Sequence, residues 1–182
     1  MNDQLILKAA HFAAVKHRKQ KRKDIDKTPY INHPISVAMI ISEIGGIDDP
    51  EVLAAAILHD TIEDTETSPD DLEDKFGEQV RTFVEEVTDD KNLPKAVRKQ
   101  RQIEHAKGLS DGAALIKLGD KISNVMDITK TPPTEWDAKR CLKYFDWAEA
   151  VINNCPKVNN DLENLFFEVL QSGRNSITLK QG

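Results

Sequence analysis

The chain has 182 residues, of which 39% are hydrophobic and 31% charged, with only 8 Gly and 8 Pro and a formal net charge of −6. This composition excludes a disordered chain, fits one domain over residues 1–182, and disfavours a general nucleic-acid binder. No apolar stretch approaches the roughly 20 residues that cross a bilayer, and the amphipathic start MNDQLILKAAHF lacks a signal peptide's apolar core, so a cytoplasmic protein with no membrane partner is expected.

Apolar residues recur at three- and four-residue steps and no sustained alternation marks a sheet, which predicts an all-α fold. A first helix is expected over about 3–20, with Leu5, Ala9 and Phe12 on one stripe, until KRKDIDKTPY breaks it. NHP opens a second, with Pro34 in its first turn, that stops at Gly45-Gly46. A third runs from about Pro50 through VLAAAIL into HDTIED. Ser68 as N-cap, Pro69 at the first position and Asp70 and Asp71 behind it start a fourth, whose stripe of Leu72, Phe76, Val80, Phe83 and Val87 Gly77 can divide.

DDKNLP then reads as a loop, KAVRKQRQIEHAK as a basic helix and GLSDG as a turn. In ALIKLGDKISNVMDI, Leu115, Leu118, Ile122 and Val125 face inward at helical spacing. TPPTEWD caps a long helix over about 135–155, and a last one is expected over about 157–171, ending at Ser172-Gly173. Cys141 and Cys155 lie about 21 Å apart along one helix, beyond disulfide reach, and read as buried thiols.

HDTIED, residues 59–64, sets one histidine and three carboxylates directly after the apolar run. On a continuous helix, His59, Asp60, Glu63 and Asp64 fall within a sector of about 140° and address one point. Carboxylates at a helix C-terminus oppose the macrodipole by roughly 0.3 to 1 kcal/mol each, so compensating positive charge is expected. On this motif alone, ion pairs from the basic stretches and a bound metal fit equally well.

Asp120 sits in an otherwise apolar helix, where an ionised carboxylate costs several kcal/mol unless it is paired or coordinated. Asn124, one turn on, suits hydrogen bonding to a ligand, whereas Asp127 reads as solvated or paired. His33 alone reads as structural, as do His11, His17 and His105. Together, His33, His59-Asp60 and Asp120 form an H…HD…D series, and in this the chain resembles the HD-domain metal-dependent phosphohydrolases. RKDIDKTPYINHP, AILHDTIEDT, FGEQVRTFVEEVTDDK and KLGDKISN extend the resemblance to the hydrolase domain of the RelA/SpoT family over about residues 5–170. Within it, the chain is most similar to the stand-alone small alarmone hydrolases, which include the metazoan SpoT homologues. The long enzymes usually have arginine and histidine where this chain has Lys121 and Ser123.

The resemblance implies an HD-domain helical bundle in which His33, His59, Asp60 and Asp120 hold one dication. Two imidazoles and two carboxylates suit manganese or iron better than a thiolate-rich zinc site does, and the resemblance selects Mn²⁺. Glu63 and Asp64, one turn further, can orient or deprotonate the attacking water, the role the resemblance also gives them. Arg22 and Lys23, within the basic stretch KHRKQKRK, match the family's positions for holding the guanine base and nearby groups. Asn124 is expected on the ribose or base side, and Lys95, Arg140 and Tyr144 match positions that reach phosphates in the small homologues.

The implied reaction is attack of water at the 3′-diphosphate of (p)ppGpp, releasing pyrophosphate and leaving GDP or GTP, which would end a stringent-response signal. One alternative is removal of the 2′-phosphate of NADPH by the same metal chemistry. Two others are a nucleotide-binding module without turnover and a nucleic-acid binder using KHRKQKRK, the last predicting steeply salt-dependent duplex binding.

Overall fold

The computed structural model describes residues 3–179, and among these every regular element is helical, apart from an isolated antiparallel bridge between Lys21 and Pro29. In chain order the helices are α1 (Asp3–Lys16), α2 (Asn32–Glu43), α3 (Pro50–Leu58), α4 (Thr61–Asp64) and α5 (Pro69–Phe76). There follow α6 (Glu78–Val87), α7 (Lys95–His105) with a 3₁₀ turn at Ala106–Gly108, α8 (Asp111–Lys130), α9 (Ala138–Asn154) and α10 (Asn160–Leu179). The all-α expectation holds, and none of the described helices is long and apolar enough to cross a membrane.

Two helices organise the others. PEVLAAAIL is small or aliphatic on every side, so α3 is buried from Val52 to Leu58 and packs against α1, α2 and α6. α8 buries Leu115, Leu118, Ile122 and Val125 as the periodicity predicts, and it touches α2, α3, α6, α9 and α10. Because α2 packs on both, His33 at its start, His59 just past α3 and Asp120 midway along α8 are carried to one place.

Gly119 sets how closely α2 and α8 approach: a Cβ there would lie 2.9 Å from Ile41 Cγ1 and 3.2 Å from Val37 Cγ1. Gly119→Val should therefore destabilise the fold by roughly 1–3 kcal/mol through overpacking. The check is a lower denaturant midpoint at unchanged slope; an unchanged midpoint would mean that this interface has slack.

Several element starts are set by local chemistry. Asp49 caps α3 by accepting from Glu51 N at 2.9 Å, and Ser68 and Asp71 form a reciprocal capping box on α5. Asp137 accepts from Arg140 N at 2.7 Å and starts α9 three residues later than TPPTEWD suggested. Gly77 separates α5 from α6.

Three boundaries differ further. α1 stops at Lys16, because His17 and Gln20 form a turn of their own, with Gln20 N donating to His17 O at 2.8 Å. α10 runs past Ser172-Gly173, since Gly173 is buried where a Cβ would meet Thr129 Oγ1 at 2.6 Å and the Phe145 ring at 3.1 Å; that close packing offsets glycine's weak helix propensity. The third helix does not continue through HDTIED: α3 ends at Leu58 and Thr61 begins a separate turn, α4.

Candidate metal centre and nucleotide cavity

The break at His59-Asp60 has a local cause. His59 Nδ1 donates to the Ala56 carbonyl at 2.8 Å and Thr61 Oγ1 to the Leu58 carbonyl at 2.7 Å, so side chains satisfy acceptors that a continuing helix would have used. The expected clash of acid with a helix C-terminus thereby disappears. His59 follows the end of α3, where positive charge is favoured, and Asp60, Glu63 and Asp64 belong to the start of the next turn.

The bond to Ala56 also fixes a proton on His59 Nδ1 and leaves Nε2 pointing inward. Nε2 is buried with no hydrogen-bond partner, 3.0 Å from Asp60 Oδ2 and 3.9 Å from Asp120 Oδ1. His33 Nε2 lies 3.2 Å from the same Asp120 oxygen, with its Nδ1 3.1 Å from Ser123 Oγ. A lone pair facing carboxylates is repulsive until a proton or a cation lies between them. Donors sharing one ion at bonds of about 2.1 Å sit roughly 3–4 Å apart, the range of these three histidine–aspartate contacts. One ligand atom each from His33, His59 and Asp60 lies within 4.8 Å of the others, and these three can hold a metal ion.

Further contacts steady the carboxylates. Tyr30 OH donates to Asp60 Oδ2. Asp120 accepts from Lys121 Nζ at 2.8 Å on Oδ2 and from Asn124 Nδ2 at 2.6 Å on Oδ1. Burial works against ionising Asp120, yet the Lys121 ammonium and the His33 and His59 rings hold it well below the usual carboxylate range. Burial likewise opposes charge on His59, but Asp60 and Asp120 lift that ring to about 9. At His33 burial prevails and lowers it, which favours the neutral imidazole a metal needs.

Glu63 and Asp64 are held separately. Glu63 accepts from Asp89 N at 3.3 Å and from Arg98 Nη1 at 3.4 Å. Burial, then the charges of Asp60 and Asp89, raises the Glu63 carboxyl, making it a stronger base than an exposed glutamate. Asp64 accepts from Gln20 Nε2 at 2.8 Å and from Lys91 Nζ. Ion pairs thus compensate the outer two acids, and the inner His-Asp pair joins the donor cluster.

Beside His33 opens a cavity of about 640 Å³, lined among others by Arg22, Lys23, Asp64, Asn124, Trp136 and Tyr144. Arg22 Nη2 donates to Asn124 Oδ1 and Asp127 Oδ2, both at 2.8 Å, so Asn124 bridges Arg22 to Asp120, and Asp127 is paired as expected. Lys23 is exposed, its carbonyl accepting from Thr134 N at 3.1 Å. Lys95 and Arg140 are exposed and do not line this cavity, although the Arg140 guanidinium lies 4.7 Å over the Trp136 ring.

Sequence reasoning missed Tyr30, Gln20 and Trp136. Tyr30 had a signal, a hydroxyl-bearing aromatic three residues ahead of His33, and Trp136 was read only as part of a cap. Gln20 had none, because its partner Asp64 is 44 residues away.

A match to the HD domain family spans residues 9–143. The guanosine-3′,5′-bis(diphosphate) 3′-pyrophosphohydrolase MESH1 of Xenopus tropicalis is 53% identical over 159 residues, covering 87% of this chain and 89% of that protein. Its human counterpart is 52% identical over 158 residues, covering 87% and 88%. A solved structure described as a metazoan ortholog of SpoT that hydrolyzes ppGpp superposes with a TM-score of 0.89 at 45% identity, over 92% of this chain and 94% of its own. With the family match spanning most of its length and relatives this similar, the chain belongs to the HD domain family.

Proposed function

We propose that the chain, acting as one domain over 1–182, is a Mn²⁺-dependent hydrolase that cleaves the 3′-diphosphate of (p)ppGpp. Water attacks the phosphorus next to the ribose 3′ oxygen, that P–O bond breaks, the 3′ oxygen takes a proton, and pyrophosphate leaves with GDP or GTP as the other product. The observation that carries this reading is the buried, partnerless His59 Nε2 facing Asp60 and Asp120 beside a cavity lined by Arg22 and Tyr144. The half-identical relatives named for this activity support it.

His33, His59, Asp60 and Asp120 would hold the cation, which when bound supplies Lewis acidity toward a phosphoryl oxygen and acidifies water. Glu63 takes a proton from the attacking water, with Arg98 and Asp89 fixing its carboxylate, and Asp64 orients that water. Arg22, braced by Asn124 and Asp127, offers a planar cation to the guanine and its neighbouring groups. Lys23 and Asn124 complete the nucleoside side and Tyr144 the phosphate side, with Lys95 and Arg140 reaching the phosphates from exposed positions outside the cavity lining.

Pyrophosphate release from ppGpp with Mn²⁺ tests the reading, with NADPH in parallel; negligible release from ppGpp would overturn it. Arg22→Ala should raise KM for ppGpp roughly tenfold, about 1.4 kcal/mol of binding, with kcat changed far less. A fall in kcat at constant KM would instead place Arg22 at the reacting phosphate.

A further inference from the structure

The basic stretch KHRKQKRK holds two side chains other than Lys and Arg that the reading above leaves without a role, His17 and Gln20. His17 is buried at 2% exposure just after α1, yet it is polar and its Nε2 has no hydrogen-bond partner. Its Nδ1 lies 2.7 Å from Gln20 Oε1, and Gln20 Nε2 lies 2.8 Å from Asp64 Oδ2. The Tyr30 ring packs 4.9 Å from the His17 ring, Tyr30 N donates to Gln20 O at 3.1 Å, and Tyr30 OH reaches Asp60.

We propose that His17 and Gln20 are positioning residues for the hydrolysis, forming a relay that aims the Asp64 carboxylate at the attacking water. This rests on the functional reading above. A primary amide can sit either way round, and only one way presents N–H to a carboxylate. Gln20 Oε1 only accepts, so His17 must donate from Nδ1; that bond fixes the amide with its NH₂ toward Asp64. Without it, the amide can rotate and set its carbonyl against the carboxylate, where two acceptors repel.

The choice of glutamine also fits. A neutral donor orients the carboxylate without adding a second positive charge to the one Lys91 already brings, so Asp64 keeps its ability to accept from water. Lys91 holds the other oxygen from an exposed loop position, a weaker constraint than a half-buried amide seated on a buried ring. The surrounding Lys and Arg do not share this role: Lys16 lies over the Phe12 ring and Arg22 turns into the cavity.

The test is steady-state kinetics on ppGpp with Mn²⁺ for Gln20→Met, His17→Leu, His17→Asn and the double variant Gln20→Met/His17→Leu, alongside the metal content of each. Gln20→Met should lower kcat about 10- to 100-fold with KM and bound metal near wild type. Asn carries an N–H close to the place of His Nδ1, so His17→Asn should recover at least tenfold over His17→Leu, which a mere packing role would not produce. The double variant should be no slower than Gln20→Met, because the relay is already broken.

Kinetics of Gln20→Met within twofold of wild type, additive losses in the double variant, or a loss seen only in KM would overturn the relay and leave the functional reading intact. Wild-type protein that releases no pyrophosphate overturns both. If His17→Leu fails to fold, Gln20→Met and His17→Asn still decide.

Discussion

Glu63→Gln is expected to lower kcat on ppGpp roughly 10²- to 10⁴-fold while ppGpp still binds, the range typical for loss of a positioned general base. Glutamine keeps the shape and can still accept from one of Asp89 N and Arg98 Nη1, which bond different Glu63 oxygens, and the donor cluster and cavity are built from other side chains and stay in place. What it removes is the site for a proton. Burial and the Asp60 and Asp89 charges already make this carboxylate hold a proton more tightly than an exposed one. Binding of ppGpp measured by calorimetry with Mn²⁺ present separates the two effects. A variant that keeps kcat within about threefold would assign the proton transfer elsewhere, with Asp64 next in line.

His59→Ala should abolish both bound Mn²⁺ and activity, read as metal content of the purified variant and pyrophosphate release. The inward nitrogen of this buried ring has no hydrogen-bond partner and lies 3.0 Å from Asp60 Oδ2 and 3.9 Å from Asp120 Oδ1, so its removal takes away the donor that both carboxylates face. A variant with full activity would refute the assigned ligand set. The same cluster predicts a direction with pH. In the metal-free protein the two carboxylates raise His59 to about 9, so a proton occupies Nε2 below that pH and the cation must displace it. Affinity for Mn²⁺ should therefore rise with pH up to about 9, with proton release on binding; affinity independent of pH from 6 to 8 would contradict this order of events.

The relay and the metal site depend on different parts of the chain, which makes their tests separable. The donors come from α2, the break just past α3, and α8, and the packing of these helices is governed by small residues such as Gly119. Asp64 is gripped from outside that core, by Gln20 after α1 and by Lys91 in the loop before α7. Loss of Gln20 should therefore leave metal content alone, and loss of His59 should leave the Gln20–Asp64 bond in place.

The helical class, the capped start at Pro69, the approximate start at Pro50, the inward stripe of α8 and the H…HD…D series are all legible in the sequence alone, whereas the Ser110 cap that starts α8 at Asp111 lies inside what reads as a turn. The former are legible because a helical period or a cap is fixed by residues three or four apart, whose geometry the backbone dictates. The break inside HDTIED, between the end of α3 and the separate turn α4, is visible only in the folded chain, since it depends on where the His59 and Thr61 side chains find carbonyls. The tertiary structure alone assigned partners across 27 to 105 residues: Lys91 and Gln20 to Asp64, Arg98 to Glu63, Arg22 to Asn124 and Asp127. Such pairings depend on how whole helices pack, and a side chain's type states what it can bond to, while the packing of distant segments selects which of many equivalent partners it meets.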